Sequence, residues 1–249
     1  MKIGVIIIGD ELLTGRRQDK HLSHTINTLA HRGLELAWAR YCGDDEILLS
    51  EEFRHIHESN DVCFSFGGIG ATHDDKTRQA VASALRVSLE QHPDAVREIV
   101  AKFGQDSYPY RVLMADLPQG ASIIPNPYNR IPGFSVDHIH CLPGFPQMAW
   151  PMLEWVLDNL YPQLTAEPPV QLILTLPDAY ESKLIDLMSD FQNRHPSVKL
   201  SSLPRFLSQD QRELELGLRG QRKDVETAHA ELKSLLESQA YRFTENSSE

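Results

Sequence analysis

Three things are scarce in this 249-residue sequence: cysteine, basic charge and long apolar runs. The three cysteines, Cys42, Cys63 and Cys141, are odd in number and far apart, which excludes a disulfide framework and a zinc knuckle. Buried thiols in a reducing cytoplasm are the expectation. Lys and Arg number 24 against 35 Asp and Glu, a net charge of −11, and no Lys/Arg-rich stretch occurs. A nucleic-acid backbone needs a basic surface, so general nucleic-acid binding is excluded. An acidic protein can still hold a small phosphorylated ligand, provided backbone amides, helix amino termini or a divalent cation supply the positive field locally.

The longest apolar runs, Ile6–Ile8 and Val62–Phe64, have the length of strands and exclude a membrane span. The start, MKIGVIIIGDELL, lacks the cleavage site of a secretion signal, so a cytoplasmic protein without a membrane partner is expected. There is no Gly-x-Ser-x-Gly elbow, no Walker loop and no His-Glu-x-x-His, which removes serine hydrolases, P-loop kinases and zinc proteases.

What is present is alternation. Apolar, β-branched runs at Lys2–Ile8, Leu34–Tyr41 and Asp61–Phe66 predict strands. Between them, helical spacing appears at Leu22, Ile26, Leu29 and Ala30, over Glu46–Glu58, and from Lys76 to Leu85. Gly43-Asp44-Asp45 reads as a turn and helix start, and His92-Pro93-Asp94 as the cap of a helix running to Phe103. Residues 117–133 read as loops around short strands, Ser135–Leu142 as one strand, and Gln147–Leu160 as a helix. The pattern predicts a three-layer α/β/α domain with a mostly parallel sheet over 1–165.

Pro162, Pro168 and Pro169 mark a boundary. Beyond it, strands at Val170–Thr175, Val198–Leu203, Arg212–Leu218 and Ala240–Phe243, with helices at Tyr180–Arg194 and Lys223–Glu237, predict a small split-βαβ α+β domain over 169–245. Residues 246–249 read as a flexible tail.

Chemistry concentrates in three strand-to-helix loops. The strongest is Gly67-Gly68-Ile69-Gly70-Ala71-Thr72-His73-Asp74-Asp75-Lys76-Thr77. Glycines permit close backbone approach, and ligands dock at the carboxyl ends of strands in open α/β sheets. Asp74 and Asp75 would hold Mg²⁺, accept hydrogen bonds from a ring or ribose, or cap the following helix. The second loop is Gly9-Asp10-Glu11-Leu12-Leu13-Thr14-Gly15, readable as a site or a solvated acidic turn. The third is Leu142-Pro143-Gly144-Phe145-Pro146, by itself only a turn. By the fold rule all three meet on one sheet edge and form a pocket.

Among the histidines, His21 and His24 are spaced to share a metal on a helix face, and His138 and His140 to point the same way from a strand. Surface or packing roles are the commoner outcome for such pairs. His73, within the central loop, is placed to touch a ligand.

Taken together, Gly-Asp-Glu-Leu-Leu-x-Gly, Gly-Gly-Ile-Gly-x-Thr-x-Asp-Asp-x-Thr and Leu-Pro-Gly-Phe-Pro resemble the molybdopterin-binding (MoaB/Mog-like) domain. The likeness is to the branch that forms the amino-terminal part of competence/damage-inducible protein A, over residues 1–162. The Asn126–Phe134 stretch resembles a loop of the same branch. The part after residue 169, with Glu181-Ser182 near a helix start, is similar to the small domain that follows there. The sequence as given ends at Glu249, before the amidohydrolase domain of longer members, so nicotinamide-nucleotide deamidation is not expected of it.

The resemblance implies a molybdopterin or nucleotide ligand. Asp74 and Asp75 become candidate catalytic and metal positions, with Asp10 and Glu11 as supporting carboxylates. The phosphate cradle would be Gly67, Gly68, Gly70 and Thr72, and Gly9, Thr14, His73, Thr77, Pro143 and Gly144 would complete the ligand site. It also implies a homo-oligomer. Two activities follow from it, pterin binding in molybdenum cofactor biosynthesis and Mg-dependent hydrolysis of ADP-ribose, FAD or a similar dinucleotide. A third outcome is a degenerate homologue acting through protein contacts.

Departures bear on that choice. Arg16-Arg17-Gln18-Asp19-Lys20-His21 stands where the branch has a hydrophobic residue and Asp-Thr-Asn, and Ala71, Tyr128 and Arg130 are also substitutions. Arg16, Arg17, Lys20 and Arg130 would add positive charge near the pocket and favour a more anionic ligand.

Overall fold

Apolar residues alternate between two faces of a central sheet, and that alternation builds the amino-terminal unit. A computed structural model describes residues 2–208 and 211–247. The chain divides into two units, Met1–Ala166 and Glu167–Glu249. In chain order the first contains β1 (Ile3–Ile8), α1 (Asp10–Leu13), α2 (His21–Ala30), β2 (Trp38–Cys42), α3 (Glu46–Ser59), β3 (Val62–Phe66), α4 (Thr77–Leu85) and β4 (Leu89–Gln91). There follow α5 (Pro93–Phe103), β5 (Asp116–Pro118), β6 (Ser122–Ile124), β7 (Gly133–Val136), β8 (Ile139–Leu142) and α6 (Pro146–Leu160).

The main sheet has the order β2-β1-β3-β8-β7-β6, with β2, β1, β3 and β8 parallel. Ile6 and Ile8 face one core with Leu49 and Phe53 of α3, Val81 of α4 and Ile99 of α5. Val5 and Ile7 face the other, with Leu29 of α2 and Met152, Leu153 and Val156 of α6. With helices on both faces, β1 and β3 are buried along their whole length, which is why they read as continuous apolar runs. All three cysteines are buried and free.

The second unit holds β9 (Val170–Pro177), α7 (Ile185–Arg194), β10 (Lys199–Phe206), β11 (Arg212–Gly220), α8 (Arg222–Ser238) and β12 (Thr244–Ser247). Its antiparallel sheet runs β10-β11-β9-β12, the split-βαβ order. Leu187 and Phe191 of α7 and Val225, Leu232 and Leu236 of α8 share its core with Leu214, Leu216 and Leu218.

Several elements differ from the sequence reading. The Leu34–Tyr41 strand begins only at Trp38, because Leu34 still donates to the Leu29 carbonyl and closes α2. The Ser135–Leu142 strand is a hairpin: Asp137, at φ 50, turns the chain between β7 and β8. Residues 181–183 form a 3-10 turn before α7. The last strand lies at 244–247 rather than 240–243, Ala240 having φ 61 after α8. It takes in Asn246 and Ser247 of the expected tail; Ser248 and Glu249 lie outside the described residues.

Candidate functional site

The carboxyl ends of β1, β3 and β8 lie side by side, and their loops line a cleft of about 400 Å³. Of the residues singled out in the sequence, Gly9, Glu11, Gly67, Gly68, Gly70, Thr72, Asp74, Asp75, Pro143 and Gly144 line it. Ile8, Ile69, Met114, Ile131 and Met148 supply apolar lining, and Arg17, Asp44, Asn126, Asn129 and Phe145 complete it.

The Gly67–Gly70 loop is shaped by packing. Gly67 and Gly68 have φ of 104° and 68°, where a side chain is strained. A Cβ on Gly67 would lie 2.4 Å from the Ile8 carbonyl oxygen, and one on Gly68 would lie 2.3 Å from Thr77 Oγ1. Close approach here is between protein elements. Thr77 is fully buried, and its hydroxyl donates to the Gly67 carbonyl at 2.9 Å. It fastens the loop to α4 and does not line the cleft.

Neither aspartate caps α4, whose cap position is Lys76 with no side-chain cap bond. Capping by one of them is therefore corrected. Asp75 Oδ2 accepts from the Thr72 amide at 2.9 Å and from the Thr72 hydroxyl, closing the bend within the loop. Asp74 is exposed at the rim. His73 points outward with its side chain 98% exposed, 3.9 Å from Asp74.

Asp10 and Thr14 stand outside the cleft. Asp10 and Asp44 clasp each other: the Asp10 amide donates to Asp44 (3.0 Å) and the Asp44 amide to Asp10 (3.2 Å). Thr14, which caps the end of α1, donates its hydroxyl to the Asp10 carbonyl. Asp44, which the sequence reading placed only in a turn, is the carboxylate it missed. Partial burial, with the charges of Asp10, Glu11 and Asp74, pushes its carboxyl above the ordinary value against the opposing Asp10 amide bond. Its signal was proximity to the second loop through the β1–β2 ladder, where Ile8 pairs with Cys42.

Behind the Gly70 turn lies Arg78, 5% exposed. Its guanidinium donates to the carbonyls of Gly70 (2.7 Å), Asp116 (3.1 Å) and Leu113. The loop is thus joined to the segment bearing Met114. Burial lowers the Arg78 pKa. Asn126, also 5% exposed, ties down its own loop through Asn129 and the Ile131 carbonyl, both at 2.8 Å.

The remaining candidates separate. Arg130 pairs with Glu98 at 2.7 Å, away from the cleft. His21 stacks on Phe66 and His24 on Trp150, so they share no ligand position. His138 sits in the β-hairpin turn and stacks on His57, whereas His140 is buried between Ser135 Oγ and the Tyr161 hydroxyl, both at 2.8 Å. Burial lowers His140 to about 3. No group of three His, Cys, Asp or Glu side chains is placed to hold a metal ion among the described residues. No helix there is long and apolar enough to cross a membrane.

Comparison with known proteins agrees with this architecture. A CinA-like protein of Anaeromyxobacter dehalogenans is 33% identical over 70% of this chain and 44% of its own length. Another, from Syntrophotalea carbinolica, is 31% identical over 69% and 43%. The chain therefore spans less than half the length of these relatives. Among solved structures, the CinA protein of Thermoplasma acidophilum, of unknown function, matches 64% of this chain and 99% of its own at 28% identity, TM-score 0.59. The family described as "Probable molybdopterin binding domain" matches residues 4–165, most of the chain, and the protein belongs to that family.

Proposed function

We propose that the cleft binds a pterin of the molybdopterin type and that the protein serves molybdenum cofactor biosynthesis. One observation carries the reading: the carboxylate residues Glu11, Asp44 and Asp74 and the apolar residues Ile69, Met114, Ile131 and Met148 line one cleft. A pterin is a flat heterocycle whose aminopyrimidinone edge presents N–H donors. Carboxylates accept such donors, and charge-assisted hydrogen bonds of this kind are strong. The apolar residues would take the ring faces. Asp44 is the best-placed acceptor because it is partly desolvated and clasped to the Asp10 turn. The glycine loop would position the ligand through its fixed backbone.

The test is calorimetric titration of the full chain with 6-hydroxymethylpterin. Saturable binding, weakened about tenfold by Asp44→Asn, is expected, since a hydrogen bond to a charged group contributes about 1.5–3 kcal/mol. Absence of binding would overturn the reading.

A second reading, metal-dependent hydrolysis of a dinucleotide pyrophosphate, draws on the presence of Asp74 and Asp75 in the same cleft. It expects ADP-ribose turnover only with Mg²⁺, abolished in Asp74→Asn. Binding of ADP-ribose without turnover removes it.

A further inference from the structure

The sheet of the second unit ends on an open strand. β10 stands last in the order β10-β11-β9-β12 and pairs only with β11 among the described residues. An unpaired strand edge is a template for another chain unless something blunts or covers it. Beside this edge runs α7, and a groove of about 410 Å³ lies between the two. Ile185, Met188 and Leu200 supply its apolar lining, and Ser189, Gln192 and Ser202 its polar lining. Ile185, Met188 and Gln192 recur at spacings of three and four, so α7 turns a single stripe toward the strand.

The backbone of that edge is already part-used. Gln192 accepts from the Leu200 amide at 2.9 Å and donates to the Val198 carbonyl at 2.7 Å, as a neighbouring strand's peptide group would. Pro204 has no amide hydrogen. Successive residues of a strand alternate in direction, so Leu200, Ser202 and Pro204 turn their backbone groups to the same side, away from β11. Between Gln192 and Pro204 the edge therefore offers the N–H of Ser202 and the carbonyls of Leu200, Ser202 and Pro204. A second copy of β10 fits this poorly: antiparallel pairing about Ser202 sets Leu200 against Pro204, and neither has a donor to give. The edge calls for a segment that brings N–H groups at alternate residues. Charge adds a second requirement. Asp186 and Asp190, one turn apart on α7 beside the groove stripe, are exposed and have no ion pair among the described residues.

We propose that the groove between α7 and β10 binds an extended, basic peptide segment of a partner protein by strand addition. The segment lies along β10 and exchanges hydrogen bonds with Ser202. Its N–H groups two residues to either side reach the carbonyls of Leu200 and Pro204. Residues opposite each other on paired strands share a face, so the residue facing Ser202 carries an apolar side chain into the groove of Ile185, Met188 and Leu200. Lys or Arg two residues before and after it meets Asp186 and Asp190. The main-chain bonds supply affinity and the side chains supply selectivity. This surface belongs wholly to the second unit and is independent of the pterin reading.

The experiment is calorimetric titration of the full chain with the acetylated, amidated heptapeptide Thr-Lys-Thr-Leu-Thr-Lys-Thr. Saturable one-to-one binding is expected. Methylating the leucine amide should abolish it, because that N–H faces the Ser202 carbonyl. Exchanging both lysines for glutamates should weaken binding at least about fivefold. In the protein, Ser202→Pro removes the free donor on the open side and leaves the ladder to β11 intact, and should weaken binding at least about tenfold. Ile185→Ser, at a side chain 54% exposed, keeps the fold and should weaken binding about three- to tenfold through lost apolar contact. Should Ser202→Pro lower the unfolding midpoint, the Ile185→Ser result decides. Absence of saturable binding, or equal binding of the methylated peptide, overturns the proposal. Sedimentation showing a dimer that Ser202→Pro dissolves would assign the edge to a second copy and overturn it as well.

Discussion

The two units bury their hydrophobic residues differently, and the difference decides where chemistry can sit. In the first, helices cover both faces of the sheet, so β1 and β3 are buried throughout and only the strand ends are left to polar loops. In the second, helices cover one face. Leu214, Leu216 and Leu218 point into the core while Glu213, Glu215 and Arg219 alternate outward, and Leu203 and Phe206 on β10 remain exposed. A sheet covered on both faces concentrates its exposed backbone at one edge, where three loops make a cleft. A sheet covered on one face offers a broad surface instead.

This contrast can be broken most strongly by acid. His140 is held neutral in the first unit, with its pKa lowered from 6.5 to about 3. The unfolded chain takes up that proton near 6.5 and the folded unit does not. The stability is complete above 6.5 and is lost as pH falls toward 3, by up to about 1.4 kcal/mol per pH unit. Denaturant unfolding from pH 7 to 4, compared with His140→Asn, should show a shallower slope in the variant; equal slopes would falsify the assignment.

Next in size is Gly67→Ala, which forces a side chain into positive φ and toward the Ile8 carbonyl. It should cost roughly 2–4 kcal/mol in the first unit's unfolding transition, with the second unit's amide exchange unchanged. An unaltered midpoint would show that the loop accommodates a side chain at Gly67. Arg78→Met should cost about 1–3 kcal/mol by stranding the Gly70 and Asp116 carbonyls, and should weaken pterin binding as Met114 drifts from the loop. Loss of stability with affinity intact would make Arg78 a packing residue only. The smallest effect belongs to the second unit: Phe206→Ser, at a side chain 76% exposed, should change stability by under about 0.5 kcal/mol. A larger loss, read from the denaturation midpoint, would show that β10 is covered in solution.

Much of the fold was legible because its signals are local. Ile3–Ile8 and Val62–Phe66 are apolar on both faces, Asp45 caps α3 through the Leu48 amide, and His92-Pro93 opens α5 as its residues require. The β7–β8 hairpin escaped because Ser135–Leu142 is apolar enough for one strand, and only the positive φ of Asp137 divides it. The site was legible as loops but not as side-chain roles. Thr77 and Asp75 look like ligand contacts in a motif, yet each closes the loop on itself. Asp44 looks like a turn residue and lines the cleft, because the β1–β2 ladder carries it to Asp10, 34 residues away in sequence.

The sequence by itself determined the alternation of strands and helices, the break at the prolines and the three glycine-bearing loops, since periodicity and turn chemistry act between near neighbours. Only the tertiary structure decided which carboxylates line the cleft, which histidines are buried apart, and that Arg17 joins the cleft lining. Those facts depend on strand order and on which hydrogen bonds each side chain has already made, and contacts between distant residues set both.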